Sequence, residues 1–563
     1  MNSESEIKLR RRSFLAWCSS VGFGSTLFPN LLWAQSKNGL KSITNEMIDS
    51  AARLAGLSFS QIDREEMVLG INANLASYKA LRKIRIDQNT PPPIYFNPAV
   101  PGQKFSKKRK PFIQSKRMSV SRPSNLEEIA FWPITDLSQL IESRQVSSEE
   151  LTLMYLKRIK QHDSKLNSVI TLTEKLAIKQ ARKMDREIKA GNYRSSLHGI
   201  PWGAKDVIAK SGYRTTWGAK AYRNQVIDYD ATLVSRLEEA GAVLIAKLST
   251  GEIARGDRWF DKQTRNPWKI NEGSGGSSAG PGSATAAGLV GFSIGSDTTG
   301  SILGPSRTCG ISGLRPTFGR ISRHGVMPVC WSLDKVGPMC RSVEDCAIVF
   351  QSIHGPDNQD LSLVDMPFNW NGNKNLKELR IGYIEEAFNE NTHPNDMETL
   401  ECLRRMGAEL QPIRLPKHAG MDALQMLLVD EAAAFDELIQ TGKVDLFLQD
   451  RAEPEDMLMR IARLMPAVEY LQIQRLRMLM MQGMERALRN IDVYIAPHEG
   501  NTNTTTTALT GHPGISVPNG FDKNGKPTGI LFVGKLYDEA NLMIAAKTYQ
   551  DANNFHLVYP GLD

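Results

Sequence analysis

The residues of this sequence that could do chemistry are concentrated in one glycine- and serine-rich segment, residues 272–306. It contains ten glycines and eight serines, and an apolar stretch, residues 284–290, interrupts them. A flexible linker would not contain such a stretch. The composition therefore favours two Gly/Ser loops that flank a buried element and expose backbone N–H groups to a ligand.

Four well-known sites do not fit this segment. A phosphate loop requires Gly-Lys-Ser/Thr, which is absent, and the dinucleotide fingerprint G-x-G-x-x-G is not completed. Residues 276–280 match G-x-S-x-G, but residues 266–272 are not the buried strand that must precede a nucleophile elbow. None of the nine histidines pairs with another at a spacing of three or four, so a zinc site has no support. A serine enzyme without an obvious histidine base remains.

Short motifs occur in a fixed order along the chain. They are GIPWGAKD at 199–206, GGSS at 275–278, GSDTTGS at 295–301, CGISGLRPT at 309–317, GHPGISVP at 511–518 and PTG at 527–529. In order and in spacing, including the 24 residues from Ser277 to Ser301, the chain resembles the amidase signature family over about residues 126 to 555. The resemblance implies an α/β fold with a large, mixed, twisted sheet that helices cover on both faces.

The resemblance also implies roles for individual residues. Ser301 is expected to be the nucleophile, Ser277 to relay its proton, and Lys205 to be the base; the Gly276–Ser277 peptide bond is expected to be cis. A free lysine has a pKa near ~10.4, so Lys205 must be buried to be neutral at pH 7. Asp206 is expected to hold structure. The residues expected to support the site are Gly275, Gly276, Ser278 and Asp297.

Attack on an amide carbonyl creates an oxyanion, which requires preorganised donors. The candidate donors are the backbone N–H groups of Thr298, Thr299, Gly300 and Ser301. Thr299 replaces a usual glycine, and a β-branched residue resists positive φ, so either the loop does not need it or the hole is altered. Leu303 replaces an arginine that meets a substrate carboxylate in several relatives, which argues against an acidic substrate. Arg307, one turn further, is the other candidate for substrate binding.

The elements that must position these motifs form a predicted catalytic domain, residues 126–563. Helical patterns alternate there with short apolar runs such as 243–245, as in a mixed sheet covered by helices. Residues 43–87 predict two amphipathic helices that pack on this domain. Residues 88–125 are Pro-rich and then carry eight basic and no acidic side chains between 104 and 122, which predicts an extended connector.

The N-terminus, residues 1–34, predicts an export signal. Arg10, Arg11 and Arg12 precede Ser-Phe-Leu and an apolar stretch, which resembles a twin-arginine signal. The alternative is a basic disordered tail. An export signal places the protein in the periplasm or outside the cell and makes the Tat export machinery a partner. The six cysteines show neither a disulfide framework nor a metal-type C-x-x-C pair.

The net charge of +8 arises in the N-terminal quarter of the chain. Residues 1–125 hold 20 basic and 8 acidic side chains, and residues 126–563 hold 49 and 53, a balance of −4. The predicted catalytic domain therefore gives no support to a nucleic-acid partner. No run of 18 apolar residues occurs, so stable membrane insertion is not expected. No metal or cofactor is expected.

The function predicted from the sequence is hydrolysis of a neutral or apolar carboxamide to a carboxylic acid and ammonia or an amine, by an exported amidase. The expected partner is a small-molecule amide, and a homodimer is left open. One alternative is a glutaminase of the kind found in tRNA-dependent amidotransferases. The export signal, Leu303 and the attached helical segment count against it. The other is a catalytically inactive binding protein on the same fold.

Overall fold

The computed structural model describes residues 43–54, 56–81, 94–417, 423–447, 455–499 and 502–562. These residues fall into two compact units that divide after residue 87. The predicted export signal lies outside the described residues and stays a prediction. Within the described chain, no helix has both the length and the apolar character needed to cross a membrane.

The first unit contains two helices, α1 (Asn45–Leu54) and α2 (Gln61–Leu81). They lie where the apolar periodicity predicted helices. Arg64 of α2 pairs with Asp49 of α1 at 3.1 Å, and the Asn72 side chain accepts a hydrogen bond from the backbone of Ile43 at 2.9 Å. These contacts hold the pair together. The predicted packing of the pair on the catalytic domain stays a prediction.

The second unit contains the remaining helices of the described chain. They are α3 (Ile134–Glu142), α4 (Ser148–Leu166), α5 (Glu174–Lys189), α6 (Thr232–Glu239), α7 (Ala279–Ala286), α8 (Leu303–Cys309), α9 (Val343–Ile353), α10 (Pro394–Arg405), α11 (Ala423–Ala434), α12 (Asp436–Thr441), α13 (Glu455–Ala462), α14 (Ala467–Ala487), α15 (Asn503–Thr510) and α16 (Glu539–Asn553). Local sequence sets several of their ends: Ser147 and Glu150 form a capping box at the start of α4, and Gly310 ends α8 with a φ of +71°.

Its strands are β1 (Val169–Leu172), β2 (Pro201–Lys205), β3 (Val243–Leu248), β4 (Arg258–Trp259), β5 (Lys262–Gln263), β6 (Arg265–Asn266), β7 (Lys269–Gly273), β8 (Phe292–Asp297), β9 (Ser312–Arg315), β10 (Lys335–Cys340), β11 (Ile381–Ile384), β12 (Leu410–Ile413), β13 (Val493–Pro497), β14 (Gly514–Phe521) and β15 (Pro527–Gly534). Eleven of them form one sheet in the order β1-β3-β2-β8-β10-β9-β14-β15-β13-β11-β12.

The sheet is mixed, with β2 parallel to both β3 and β8 and most other pairs antiparallel. Every residue of β2, β3, β9, β10 and β13 is buried, as in strands that are covered on both faces. The mixed α/β fold expected from the resemblance is therefore confirmed. Because β2 and β8 are parallel neighbours, their carboxyl ends lie at the same edge of the sheet. Lys205 ends β2 and Asp297 ends β8, so this edge gathers the predicted site.

Residues 94–125, described as part of the second unit, contain no helix and no extended strand ladder. The segment is extended, as its prolines and like charges predicted, and it packs against the catalytic unit. Phe96 lies edge-on to Phe318 at 5.1 Å between ring centroids, and Phe105 lies edge-on to Tyr537 at 4.8 Å.

Candidate active site

Lys205 is fully buried at the end of β2. Its Nζ hydrogen-bonds to the hydroxyl oxygen of Ser277, 2.8 Å away, and to that of Ser296, 2.9 Å away. Burial lowers the pKa of Lys205 to about 7, although the negative charges of Asp297 and Asp334 act in the opposite direction. Near neutral pH a large fraction of this side chain is therefore the free amine, the form that can accept a proton from Ser277.

Ser277 lies in a tight loop just before α7. Its peptide bond with Gly276 is cis, as the resemblance implied. Glycine is required at position 276 because a Cβ there would lie 1.9 Å from the carbonyl oxygen of Gly256. Gly275 has a φ of +70°, which also favours glycine. The carbonyl of Ser277 accepts a hydrogen bond from the Gly251 N–H at 3.3 Å, so two backbone segments hold the loop.

Ser301 lies beside the Ser277 loop. The N–H of Ser278 donates to the carbonyl of Ser301 at 3.1 Å and ties the two loops together. Lys205 and Ser277 are buried, whereas Ser301 is partly exposed, so the three residues lead from the interior to the surface. The hydroxyls of Ser277 and Ser301 do not hydrogen-bond to each other in this structure. Catalytic hydrogen bonds often tighten only when a substrate binds.

Asp297 organises the loop that carries Ser301. Its Oδ1 accepts the N–H of Gly300 and its Oδ2 accepts the N–H of Ile302, both at 2.8 Å. The positive φ of this loop, +141°, falls on Gly300 and not on Thr299. A β-branched residue at 299 is thus compatible with the loop, which resolves the question that the sequence left open.

The backbone donors predicted for the oxyanion are not equivalent. The N–H of Gly300 is occupied by Asp297, so its inclusion among the free donors has to be corrected. Within the part of the chain that the structure describes, the N–H groups of Thr298, Thr299 and Ser301 have no acceptor. These three can face an oxyanion. The hydroxyl of Thr298 is itself fixed, since it donates to Asp334 at 2.7 Å.

Two of the predicted supporting residues act on structure. The Ser278 hydroxyl donates to the carbonyl of Ser296 at 3.0 Å and accepts the Ser296 N–H at 3.1 Å, which joins the Ser277 loop to β8. Asp206 faces away from Lys205: it pairs with Lys247 at 2.8 Å and accepts two hydrogen bonds from Thr216.

The two candidates for substrate binding, Leu303 and Arg307, lie on α8. Leu303 is 1% exposed and belongs to a hydrophobic cluster with Tyr494 and Leu531. Arg307 forms an ion pair with Glu499. Neither side chain offers an unengaged polar group to a ligand.

A cavity adjoins the site at Ser296 and Thr298. Its apolar wall consists of Val326, Met327, Pro328, Val329, Trp331 and Val336. The cation in this wall, Arg323, is already paired with Asp360 at 3.0 Å. Burial lowers the pKa of Lys335, another residue of the cavity lining, to about 7. The cavity therefore offers an apolar surface with little unpaired charge.

The sequence matches the Amidase family over residues 150–506, which is more than half of the chain and contains all three central residues. This chain belongs to the amidase signature family. Its coarse activity follows: it is an amidase-family hydrolase.

Curated and solved members of the family cover most of the chain. The A chain of the glutamyl-tRNA(Gln) amidotransferase from Geotalea daltonii is 34% identical over 475 residues, which is 75% of this chain and 97% of that protein. The native peptide amidase of Stenotrophomonas maltophilia superposes with a TM-score of 0.70 at 30% identity, over 78% of this chain and 100% of that one. An amidase family protein from Bacillus anthracis gives 0.69 at 28% identity, over 77% and 93%.

This amidase has site residues that the sequence reasoning did not assign. Ser296 is a second hydroxyl partner of Lys205, and Asp334 receives the Thr298 hydroxyl. Alternation along β8 is the signal that could have found Ser296, because neighbouring strand residues point to opposite faces and Asp297 faces the Ser301 loop. Asp334 is remote in sequence, so only the pairing of β10 with β8 brings it to the site.

The support of the Ser277 loop was also not predicted. The loop at residues 251–256 places two successive non-glycine residues, Ile253 and Ala254, at positive φ, 49° and 57°. Next to them, Arg255 pairs with Glu431 of α11, a fully buried carboxylate. Strained backbone persists only where its surroundings hold it, and it is concentrated at functional sites. This amidase thus fixes its Ser277 loop through a helix about 150 residues away in sequence.

Proposed function

We propose that this protein hydrolyses a carboxamide to a carboxylic acid and ammonia or an amine through an acyl-enzyme on Ser301. The observation that carries the proposal is the fully buried Lys205, whose pKa is lowered to about 7 and whose Nζ lies 2.8 Å from the Ser277 hydroxyl. A lysine that held only structure would be expected to pair with a carboxylate.

In the proposed mechanism, the proton of the Ser301 hydroxyl passes to Ser277 as its oxygen attacks the amide carbonyl, and the proton of Ser277 passes to Lys205. The backbone N–H groups of Thr298, Thr299 and Ser301 stabilise the oxyanion. When the C–N bond breaks, the proton returns along the same path to the leaving nitrogen. Water then attacks the acyl-enzyme with Lys205 again as the base, and the carboxylic acid leaves.

The apolar cavity wall supports a neutral or apolar acyl group as substrate. A direct test is the rate of ammonia release from hexanamide and from adipamate, a chain of similar length that ends in a carboxylate. We expect the value of kcat/KM to be at least tenfold higher for hexanamide. Equal values, or a preference for adipamate, would contradict the substrate class while leaving the reaction itself supported.

The reaction is tested with Ser301→Ala and with a panel of aliphatic, aromatic and peptide-terminal amides. Turnover by the wild type that disappears in Ser301→Ala supports the proposal. Ammonia release that persists in Ser301→Ala excludes Ser301 as the nucleophile. Failure of the wild type to turn over any amide or to react with a fluorophosphonate would favour a binding protein on this fold.

A glutaminase function is a second candidate because the amidotransferase chain from Geotalea daltonii is 34% identical. It predicts that L-glutamine is hydrolysed with a higher kcat/KM than any monoamide of the panel. The same assay therefore separates the two candidates, and Ser301→Ala serves as the blank for both.

Export through the twin-arginine pathway remains part of the proposal. It is supported by Arg10, Arg11 and Arg12 before the apolar N-terminal stretch. Replacement of Arg11 and Arg12 with lysine is expected to retain the protein in the cytoplasm, as measured by cell fractionation. Unchanged export would reject this route.

A further inference from the structure

Residues 104–116 form a basic strap on the surface of the catalytic unit. The sequence of the strap, KFSKKRKPFIQSK, contains six basic and no acidic residues, whereas residues 126–563 carry a net charge of −4. The positive charge is thus concentrated in one short segment.

The backbone of the strap is fastened to the catalytic unit. The N–H of Ile113 donates to the carbonyl of Trp370 at 3.0 Å. The side chain of Asn369 accepts the N–H of Lys110 at 2.8 Å and donates to the carbonyl of Lys108 at 2.9 Å. A like-charged segment free in solution would have no such partners. The protein therefore presents these charges on a defined face.

The cations of the strap differ in whether they are neutralised. Arg109 pairs with Asp365. Among the described residues, no acidic side chain forms an ion pair with the lysines of the strap, all of which are exposed: Lys104, Lys107, Lys108, Lys110 and Lys116. The catalytic unit thus leaves five ammonium groups along one edge without a counter-charge of its own.

Apolar and aromatic residues of this region are sorted by exposure. Phe105 packs on Tyr537 and Phe112 on Phe368, so the aromatic rings are turned into the catalytic unit. Met118, just after the strap, is 89% exposed. Single-stranded nucleic acids are bound through exposed aromatic rings that stack on bases, and the strap does not offer such rings. Exposed lysines beside an exposed apolar side chain suit the headgroup region of a bilayer.

We propose that the basic strap is a docking face for the surface of an anionic lipid bilayer. The lysines attract the negative headgroups, and Met118 enters the interface between headgroups and acyl chains. The contact is peripheral, so it agrees with a described chain in which no helix could span a membrane.

The test is co-sedimentation of the full chain with vesicles of phosphatidylcholine and phosphatidylglycerol in a 3:1 ratio, with pure phosphatidylcholine as the neutral reference. One variant replaces the five strap lysines with glutamine. The matched control replaces five other exposed lysines that form no ion pair in the described structure: Lys175, Lys179, Lys183, Lys189 and Lys523. Both variants lose the same charge and keep the same N-terminus, so their difference isolates the strap.

We expect the strap variant to bind anionic vesicles at least 100-fold more weakly than the wild type at low salt, and the control variant to stay within threefold. Binding of the wild type should fall steeply between 50 and 300 mM salt. Met118→Ser should weaken binding about threefold at either salt concentration. Thermal unfolding of each variant checks that the fold is intact.

Three results would overturn the proposal. One is equal loss of binding in the strap and control variants, because net charge alone would then explain it. Another is unchanged binding in the strap variant, which would place the contact elsewhere in the chain. The third is tighter binding of the wild type to single-stranded RNA than to anionic vesicles at the same salt concentration, with the difference removed in the strap variant, which would assign the strap to nucleic acid.

Discussion

Two lysines on neighbouring strands, Lys205 of β2 and Lys247 of β3, show how the same side chain serves different ends in one sheet. Both are fully buried, and Lys247 lies opposite Ala204, the residue before Lys205. Lys247 pairs with a carboxylate, Asp206, at 2.8 Å, whereas Lys205 contacts two neutral hydroxyls.

The difference in partner separates structure from chemistry. Burial disfavours the ammonium form of both lysines and lowers the pKa of each, and in Lys247 the charge of Asp206 opposes this effect most strongly. Lys205 has no carboxylate within ion-pair distance among the described residues. A buried lysine can therefore act as a base where the protein withholds a counter-ion and as a structural link where it supplies one.

The strongest test of this comparison is Lys205→Met. Removal of a general base is expected to lower kcat/KM for an amide at least ~1,000-fold. Because no ion pair is broken, the free energy of unfolding should not decrease. Urea denaturation and ammonia release from the same preparation measure both quantities. A large loss of stability would mean that Lys205, too, is structural.

Lys247→Met should have the reverse effect. It leaves the buried carboxylate of Asp206 without its partner, which is expected to reduce the free energy of unfolding by about 3–5 kcal/mol. The folded fraction should retain kcat within about tenfold. Urea denaturation gives the stability, and addition of Asp206→Asn to Lys247→Met should recover part of it. No recovery would indicate that the cost arises from packing and not from the unpaired charge.

The pH dependence of catalysis distinguishes the two lysines without a mutation. Lys205 must be neutral to accept a proton, and its pKa is about 7. The value of kcat/KM should therefore rise about tenfold per pH unit below pH 7 and level off above it. A pH–rate profile from pH 5 to 9 measures this. A profile that is flat through pH 7 would contradict Lys205 as the base.

The smallest expected effect concerns Ser296, the second hydroxyl partner of Lys205. Ser296→Ala removes one hydrogen bond of about 0.5–1.5 kcal/mol. We expect kcat/KM to fall about 3- to 10-fold and the midpoint of the pH–rate profile to move, with little change in stability. Thr285→Ser, which alters a hydroxyl that bonds to Ser293 away from the site, is a matched control. An unchanged midpoint would show that Ser296 does not influence the base.

Much of the site could be predicted from the sequence because its residues lie in short motifs whose spacing is preserved along the chain. Ser277, Ser301 and Asp297 stand within 25 residues of one another, and Lys205 ends a short apolar strand. The support of the site could not be predicted in the same way. Asp334 and Glu431 are isolated acidic residues in the sequence, and nothing local to them indicates that they face the active site.

The sequence by itself determined the family, the mixed α/β class, the two N-terminal helices and the identity of the residues at the centre of the site, since these depend on residue type, periodicity and spacing. Only the tertiary structure decided which donors of the Ser301 loop are free, which partner each buried lysine receives, and that the basic strap is fastened to the catalytic unit. Hydrogen-bond partners and desolvation depend on atoms brought together from distant parts of the chain, and a pKa follows from that environment and not from the residue alone.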